Sequence, residues 1–248
     1  NSSAPLLNII VAVRNRTPQL KKLIASLEKH TQHIRLVVVA GESTDANVRK
    51  ELVERSGLAH VRYLWAPRRA LKFSRALLLD FGIRVVHKEN PMAFFFTIDV
   101  DLQLPPTAGT VDFRDTVWSS VERGRTIYAP IVDMKTKEGA SNYFDWGYGM
   151  LGAYTSDFVA VGGFDVDRFQ YGWGGEDISL VQAFLRHGYY VARPEEPGLV
   201  HLYHEKLAWR GKDHETRCHF DWVNGEICNG GGIGVIPPSS PAASSSWK

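Results

Sequence analysis

The chain has 248 residues, of which 44% are hydrophobic, 11% aromatic and 23% charged, a composition that excludes collagen and a wholly disordered protein. Its 29 Lys and Arg residues nearly balance 27 Asp and Glu residues, so the formal net charge is only +2. A charge this small does not indicate binding to nucleic acid or to a membrane surface, and we expect no nucleic-acid partner. The two cysteines, Cys218 and Cys228, are too few for a disulfide scaffold. Whether they form a bridge stays open.

Short apolar strands alternate with amphipathic helices along the first part of the chain. The predicted strands are residues 6–13, 34–39, 61–65 and 93–98. The predicted helices are residues 18–30, 46–56 and 72–86, the first with Thr17 as N-cap and Pro18 in its first turn. Continuous apolar strands are typical of burial on both faces, and their alternation with helices predicts parallel pairing in a doubly wound α/β sheet.

The second part of the chain is less regular. Residues 145–176 are rich in glycine and aromatic side chains, and a helix over residues 177–187 should end at Gly188. From residue 229 the chain becomes rich in Gly, Pro and Ser, which is typical of disorder. We predict one catalytic domain over residues 1–228 and a disordered tail over residues 229–248.

Two carboxylates follow the predicted strand at residues 93–98. Asp99 and Asp101 have the period of a strand, so their side chains should lie on the same side. In parallel α/β sheets ligands bind at the carboxyl ends of strands, and carboxylate oxygens there suit a divalent cation that bridges phosphates. For so short a pattern taken alone, an acidic turn is the more frequent explanation.

Three further groups of residues are candidates for chemistry. His201 and His204 could complete a metal site, or be an ordinary pair of histidines. In residues 172–177 (Gly-Trp-Gly-Gly-Glu-Asp) the glycines permit close approach of a ligand, and Trp173 offers a stacking surface for a sugar or base. The alternative for this segment is a capped helix start, with Asp177 as the cap.

Basic residues lie around the predicted strand ends, and each alone is typical of a solvated surface. They are Arg14, Arg16, Arg68, Arg69, Lys72 and Arg75. The planar fork of arginine matches phosphate oxygens. Together with the two carboxylates and the tryptophan segment, these cations indicate a nucleotide-sugar bound through a metal ion.

Four blocks, in this order, resemble the metal-dependent inverting glycosyltransferases that contain the β-1,4-galactosyltransferases and the chondroitin N-acetylgalactosaminyltransferases. The blocks are residues 13–16, 73–76, 99–101 and 172–177, within a resemblance that extends over roughly residues 7–206. The chondroitin branch is the more similar one. The stretches that resemble it most are residues 144–150, 162–165 and 198–206.

This resemblance implies a GT-A fold, which is a Rossmann-like, mostly parallel central sheet flanked by helices. It implies that Asp177 is the general base, with Glu176 beside it as a second catalytic residue. It implies that Asp101, His204 and His201 hold Mn²⁺, with Mg²⁺ as the alternative cofactor. The positions that it assigns to the UDP-sugar donor are Arg14, Arg16, Phe73, Arg75, Asp99, Val100, Asp101 and Trp173.

The function implied is transfer of N-acetylgalactosamine from UDP-GalNAc, in β-1,4 linkage, to a glucuronate-ended chondroitin-type glycan. The partners are then the UDP-sugar and an oligosaccharide or glycosaminoglycan acceptor. The alternatives are a β-1,4-galactosyltransferase that uses UDP-Gal and, less favoured, a non-catalytic polymerisation partner. For a eukaryotic host we expect the Golgi lumen, with this chain as the soluble catalytic part of a type II membrane protein whose anchor lies outside it. The sequence leaves oligomerisation open.

Overall fold

A computed structural model describes residues 5–30, 33–41, 46–66, 73–104, 112–143, 145, 147–170, 174–203, 220–221, 226–229 and 232–235. The helices are α1 Thr17–Leu27, α2 Ala46–Glu54, α3 Arg75–Glu89, α4 Phe113–Ser120, α5 Thr155–Ala160 and α6 Glu176–Arg186, with a 3₁₀ turn at Glu28–His30. The strands are β1 Leu7–Val13, β2 Ile34–Ala40, β3 Val61–Trp65, β4 Phe94–Ile98, β5 Leu102–Gln103, β6 Thr126–Tyr128, β7 Ile131–Lys135, β8 Ser141–Tyr143, β9 Leu151–Tyr154, β10 Tyr190–Ala192, β11 Glu195–His201, β12 Phe220–Asp221, β13 Glu226–Asn229 and β14 Gly232–Val235.

A seven-stranded sheet with the order β10-β6-β9-β4-β1-β2-β3 forms the centre of the fold. The neighbours β1, β2, β3 and β4 pair in parallel, as the alternation of strands and helices predicts. Strand β9 is antiparallel to both β4 and β6 and was not predicted from the sequence. It has only four residues, Leu-Gly-Ala-Tyr, and none of them is β-branched. The sheet is therefore mixed but mostly parallel.

The central sheet is buried on both faces, which explains its continuous apolar strands. In β4, Phe96 belongs to one hydrophobic cluster and packs edge-on against Phe113 of α4 at 5.2 Å between ring centroids. Its neighbour Phe95 points to the opposite cluster and packs edge-on against Phe158 of α5 at 5.7 Å. Helices α1 and α4 cover the first face, and α3, α5 and α6 cover the second.

The fold contains two smaller sheets in addition to the central one. The four-stranded sheet has the order β5-β11-β7-β8, and its β11 is antiparallel to β5, so that His201 lies opposite Leu102. The three-stranded sheet is β12-β13-β14. Its last strand, Gly232–Val235, lies within the predicted tail and pairs with Glu226–Asn229. The boundary at residue 228 stays a prediction. The pairing of the cysteines stays open, because Cys218 lies outside the described residues.

Three helix starts differ from the predictions. The N-cap position of α1 is Arg16, without a side-chain cap, and Thr17 is already helical, so the prediction of Thr17 as the cap is wrong. Helix α3 begins at Arg75 rather than at residue 72, because the Ser74 hydroxyl caps it. Helix α6 begins at Glu176 after Gly175, whose φ of 81° is easily adopted by glycine. Asp177 is therefore not the cap of α6.

No helix among the described residues is both long and apolar enough to cross a membrane.

We expect Ser74→Ala to lower the free energy of unfolding by about 1–3 kcal/mol. The fully buried Ser74 hydroxyl donates to the Phe169 carbonyl at 2.6 Å and accepts the Leu77 amide at 3.1 Å. The alanine would leave both backbone groups without this partner. Urea unfolding measures the change. The matched control is Ser119→Ala, at an exposed position of α4, and an equal loss in both variants would contradict the capping role.

Candidate active site

Arg75 connects three separate parts of the chain at the carboxyl end of β4. Its Nε donates at 2.8 Å to Oδ1 of Asp99, the residue that directly follows β4. Its Nη1 donates to Glu176 Oε1 at 3.3 Å, at the start of α6. Its Nη2 donates to the Gly149 carbonyl at 2.6 Å. All three guanidinium nitrogens therefore have protein partners, and Arg75 itself is only 3% exposed.

The charges around Arg75 keep it protonated. Burial acts to lower the pKa of the Arg75 guanidinium, but the carboxylates of Asp99, Glu176 and Asp177 outweigh burial and hold that pKa above its ordinary value. A permanently charged fork at this position orients the carboxylates around it. We conclude that Arg75 organises the site, while its predicted direct contact with a diphosphate stays a prediction.

Glu176 is enclosed by protein. It is 3% exposed, and its Oε2 accepts the Gly174 amide at 2.6 Å while Oε1 faces Arg75. Burial raises the pKa of the Glu176 carboxyl, and the nearby Arg75 acts against this rise. Glu176 thus anchors the segment that precedes α6 to Arg75. Its predicted catalytic role stays a prediction.

Asp177 is half-buried in the first turn of α6, where the helix dipole favours a carboxylate. Its Oδ2 accepts the backbone amide of Tyr148 at 2.7 Å. Within the described part of the chain, its Oδ1 accepts no hydrogen bond. One oxygen is therefore held by the Tyr148 amide, and the role of Asp177 as the general base stays a prediction.

The three residues of the Asp-Val-Asp block have different surroundings. Asp99 contacts Arg75. The Val100 side chain is 8% exposed and belongs to a core cluster, so it contributes packing. Asp101, also 8% exposed, has its Oδ1 3.4 Å from His201 Nε2. The two carboxylates thus have different protein partners, and their predicted part in binding a cation stays a prediction.

The residues near Asp101 provide part of the donor set that Mn²⁺ or Mg²⁺ would need. A buried carboxylate oxygen and an imidazole nitrogen, brought together by the pairing of β5 and β11, suit such an ion. Within the described ranges no three His, Cys, Asp or Glu side chains form a group that could hold a metal. The third predicted ligand, His204, lies outside the described residues.

The remaining predicted donor-site residues lie around the same edge of the sheet or outside the described ranges. Arg14 and Arg16 are half-buried and directly follow β1, the strand beside β4. Phe73 directly precedes the cap of α3 and packs against a core cluster. Trp173 lies outside the described residues. The part of these four residues in donor binding stays a prediction.

Arg193 is a site residue that the sequence did not point to. It lies between β10 and β11, and its guanidinium is 4.1 Å from the centroid of the Tyr148 ring. The same guanidinium donates to the carbonyls of Ala129 at 3.1 Å and Gly147 at 2.9 Å. Burial lowers the pKa of Arg193 from its ordinary value. No motif or periodicity distinguishes this arginine, because its partners come from segments far from it in sequence.

The chain is similar in sequence to proteins of known activity. A family model described as chondroitin N-acetylgalactosaminyltransferase matches residues 132–218. Human chondroitin sulfate N-acetylgalactosaminyltransferase 1 is 27% identical over 232 residues, a match that covers 83% of this chain and 42% of the relative. The chain is similar in sequence to the chondroitin N-acetylgalactosaminyltransferases. The resemblance predicted from the four blocks is confirmed.

A second relative extends this similarity. Mouse N-acetyl-beta-glucosaminyl-glycoprotein 4-beta-N-acetylgalactosaminyltransferase 1 is 30% identical over 212 residues, covering 81% of this chain and 19% of that protein. The chain thus spans less than half the length of these two curated relatives.

The fold is that of the GT-A glycosyltransferases, as predicted. The mannosyltransferase PcManGT from Pyrobaculum calidifontis, solved in complex with GDP-Man and Mn²⁺, superimposes with a TM-score of 0.56. The match covers 82% of this chain and 57% of that chain, at 14% sequence identity. At this identity the likeness shows the fold alone.

Proposed function

We propose that this chain is an inverting glycosyltransferase that transfers N-acetylgalactosamine from UDP-GalNAc, in β-1,4 linkage, to a glucuronate-ended chondroitin-type glycan. The observation that carries the proposal is the geometry of Asp177, whose Oδ2 is held by the Tyr148 amide while its Oδ1 accepts no hydrogen bond from the residues that the structure describes. The names of the two N-acetylgalactosaminyltransferase relatives support the choice of sugar and class of reaction.

Inversion requires one in-line displacement at the anomeric carbon. Asp177 Oδ1 takes the proton of the acceptor hydroxyl while the hydroxyl oxygen forms its bond to the anomeric carbon. The bond between that carbon and the UDP oxygen breaks on the opposite side, and the electron pair leaves with UDP. This chemistry needs one base and no covalent nucleophile.

A divalent metal ion would neutralise charge on the departing diphosphate. In this proposal Asp101, His201 and His204 would hold that ion, and Mn²⁺ would be preferred over Mg²⁺. The complex of the structural neighbour with Mn²⁺ and a nucleotide-sugar supports a metal in this fold. In the galactosyltransferases that the chain resembles, a methionine stands at the position of His201. Because an imidazole is a harder ligand than a thioether, we expect activity with Mg²⁺ as well.

Four of the predicted donor-binding residues keep that role in this proposal. Arg14, Arg16, Phe73 and Trp173 would contact the UDP-sugar. Arg75 keeps Asp99 at the end of β4 through their 2.8 Å contact. The single catalytic domain over residues 1–228 and the Golgi lumen belong to the same proposal.

A UDP-release assay tests the proposed function. The donors are UDP-GalNAc, UDP-Gal and UDP-GlcNAc, each with a glucuronate-ended chondroitin oligosaccharide or a GlcNAc-ended oligosaccharide. We expect turnover with UDP-GalNAc and the glucuronate-ended acceptor in Mn²⁺, and its loss in EDTA. NMR of the product should show a β-1,4 linkage.

Two results would favour the alternatives. Turnover with UDP-Gal alone would identify a galactosyltransferase. Metal-dependent binding of UDP without turnover on any donor would identify the non-catalytic partner.

A further inference from the structure

Arg193 holds the backbone next to Tyr148, the residue whose amide donates to the candidate base Asp177. Its Nη2 donates to the carbonyl of Gly147 at 2.9 Å and also to that of Asp145. Its Nη1 donates to the carbonyl of Ala129, one residue after β6. The planar guanidinium therefore ties Asp145 and Gly147 to the residue that follows β6.

Tyr148 stands between Arg193 and Asp177. Its ring lies against the Arg193 guanidinium, with 4.1 Å between the guanidinium carbon and the ring centroid. Its backbone amide donates to Asp177 Oδ2 at 2.7 Å. The direction of that N–H, and with it the orientation of the carboxylate, depends on how the peptide at residues 147–148 is held.

The residue after Tyr148 is held by hydrogen bonds from other parts of the chain. The Gly149 carbonyl accepts Arg75 Nη2 at 2.6 Å and Thr97 Oγ1 at 3.1 Å. The residue before Tyr148 is Gly147, whose φ is 87°. A Cβ added at Gly147 would have no atom within 4 Å. Such a glycine has wide conformational freedom, and the contacts of Arg193 restrict the peptide that follows it.

We propose that Arg193 is a positioning residue, which orients Asp177 through the backbone amide of Tyr148. The inference rests on the proposed function, since Asp177 is the base there. Arginine suits this task better than lysine, because one flat guanidinium can stack on the Tyr148 ring while it donates to several carbonyls.

The test compares Arg193→Met and Arg193→Lys with the matched control Arg186→Met. Arg186 is exposed in the last turn of α6 and lies outside the site. We expect both Arg193 variants to lose about tenfold to 10²-fold in kcat, as a slightly misplaced catalytic group does. The KM for UDP-GalNAc should stay within about twofold of wild type, because no proposed donor contact changes.

Amide hydrogen exchange of Tyr148 provides a readout that does not depend on activity. It should become about tenfold faster in both Arg193 variants and stay at the wild-type rate in Arg186→Met. Wild-type exchange and wild-type kcat in both Arg193 variants would overturn the inference. If the wild-type chain shows no turnover, the proposed function fails, and the exchange rate alone decides for or against Arg193.

A double-mutant cycle with Asp177→Asn separates positioning from general damage to the fold. If Arg193 acts through Asp177, then Arg193→Met should reduce kcat by less than about twofold in the Asp177→Asn background. Equal losses in the two backgrounds would show that Arg193 acts elsewhere and would overturn the inference.

Discussion

Asp177→Asn is expected to lower kcat for transfer by at least about 10²-fold, the usual contribution of a general base. In the wild type the Tyr148 amide lies 2.7 Å from Asp177 Oδ2. The asparagine keeps the size of the side chain and an oxygen that can accept this hydrogen bond, but it cannot take the proton of the substrate hydroxyl. The measurement is steady-state UDP release with UDP-GalNAc and the glucuronate-ended acceptor in Mn²⁺.

The control for this variant is Asp167→Asn, at an exposed position of the loop before α6. It removes the same charge and should leave kcat unchanged. Binding of UDP and Mn²⁺ to Asp177→Asn should also be unchanged, because neither is a proposed partner of this carboxylate. Full activity of Asp177→Asn would remove Asp177 from the mechanism.

Arg75→Met is expected to lower the free energy of unfolding by roughly 3–5 kcal/mol, the loss typical when one partner of a buried ion pair is removed. It would leave the carboxylate of Glu176, 3% exposed, without its cation. The Gly149 carbonyl would lose its 2.6 Å donor as well. Urea unfolding followed by circular dichroism measures the change.

A second variant separates the unpaired charge from lost packing. The double variant Arg75→Met with Glu176→Gln should recover part of the lost stability, because the neutral amide costs less to bury than an unpaired carboxylate. The matched control is Arg125→Met, since the Arg125 side chain is 74% exposed and pairs with Glu122 at the surface. It should cost less than about 1 kcal/mol. Equal losses for Arg75→Met and Arg125→Met would contradict the role of Arg75.

The main sheet was predictable because its signals are local. The apolar runs of β1, β2 and β4 are buried on both faces, as their composition indicates. The short strands of the four-stranded sheet were missed. Strand β8, for example, is Ser-Asn-Tyr with two exposed residues, and it lies in the sheet because β7 pairs with it. Such strands form through partners from other segments and lack a pattern of their own.

The site was predictable in its residue types and only in part in its arrangement. Motif spacing placed Asp99 and Asp101 after a central strand, and they lie there. The sequence did not show which residue each of the two carboxylates contacts, since the contact of Asp101 with His201 arises from the pairing of β5 with β11. It also did not show that Val100, within the same block, belongs to the core.

By itself, the sequence determined the class of fold, the order of the central strands and helices and the family resemblance. These properties depend on neighbours along the chain or on motifs whose residues stand close together. Only the tertiary structure decided which charges meet. Arg75 and Glu176 are 101 positions apart, and Arg193 and Gly147 are 46 apart, so no local pattern records either contact. Packing of α3 and α6 on one face of the sheet, together with the return of the chain through β10 and β11, brings these groups together around Asp177.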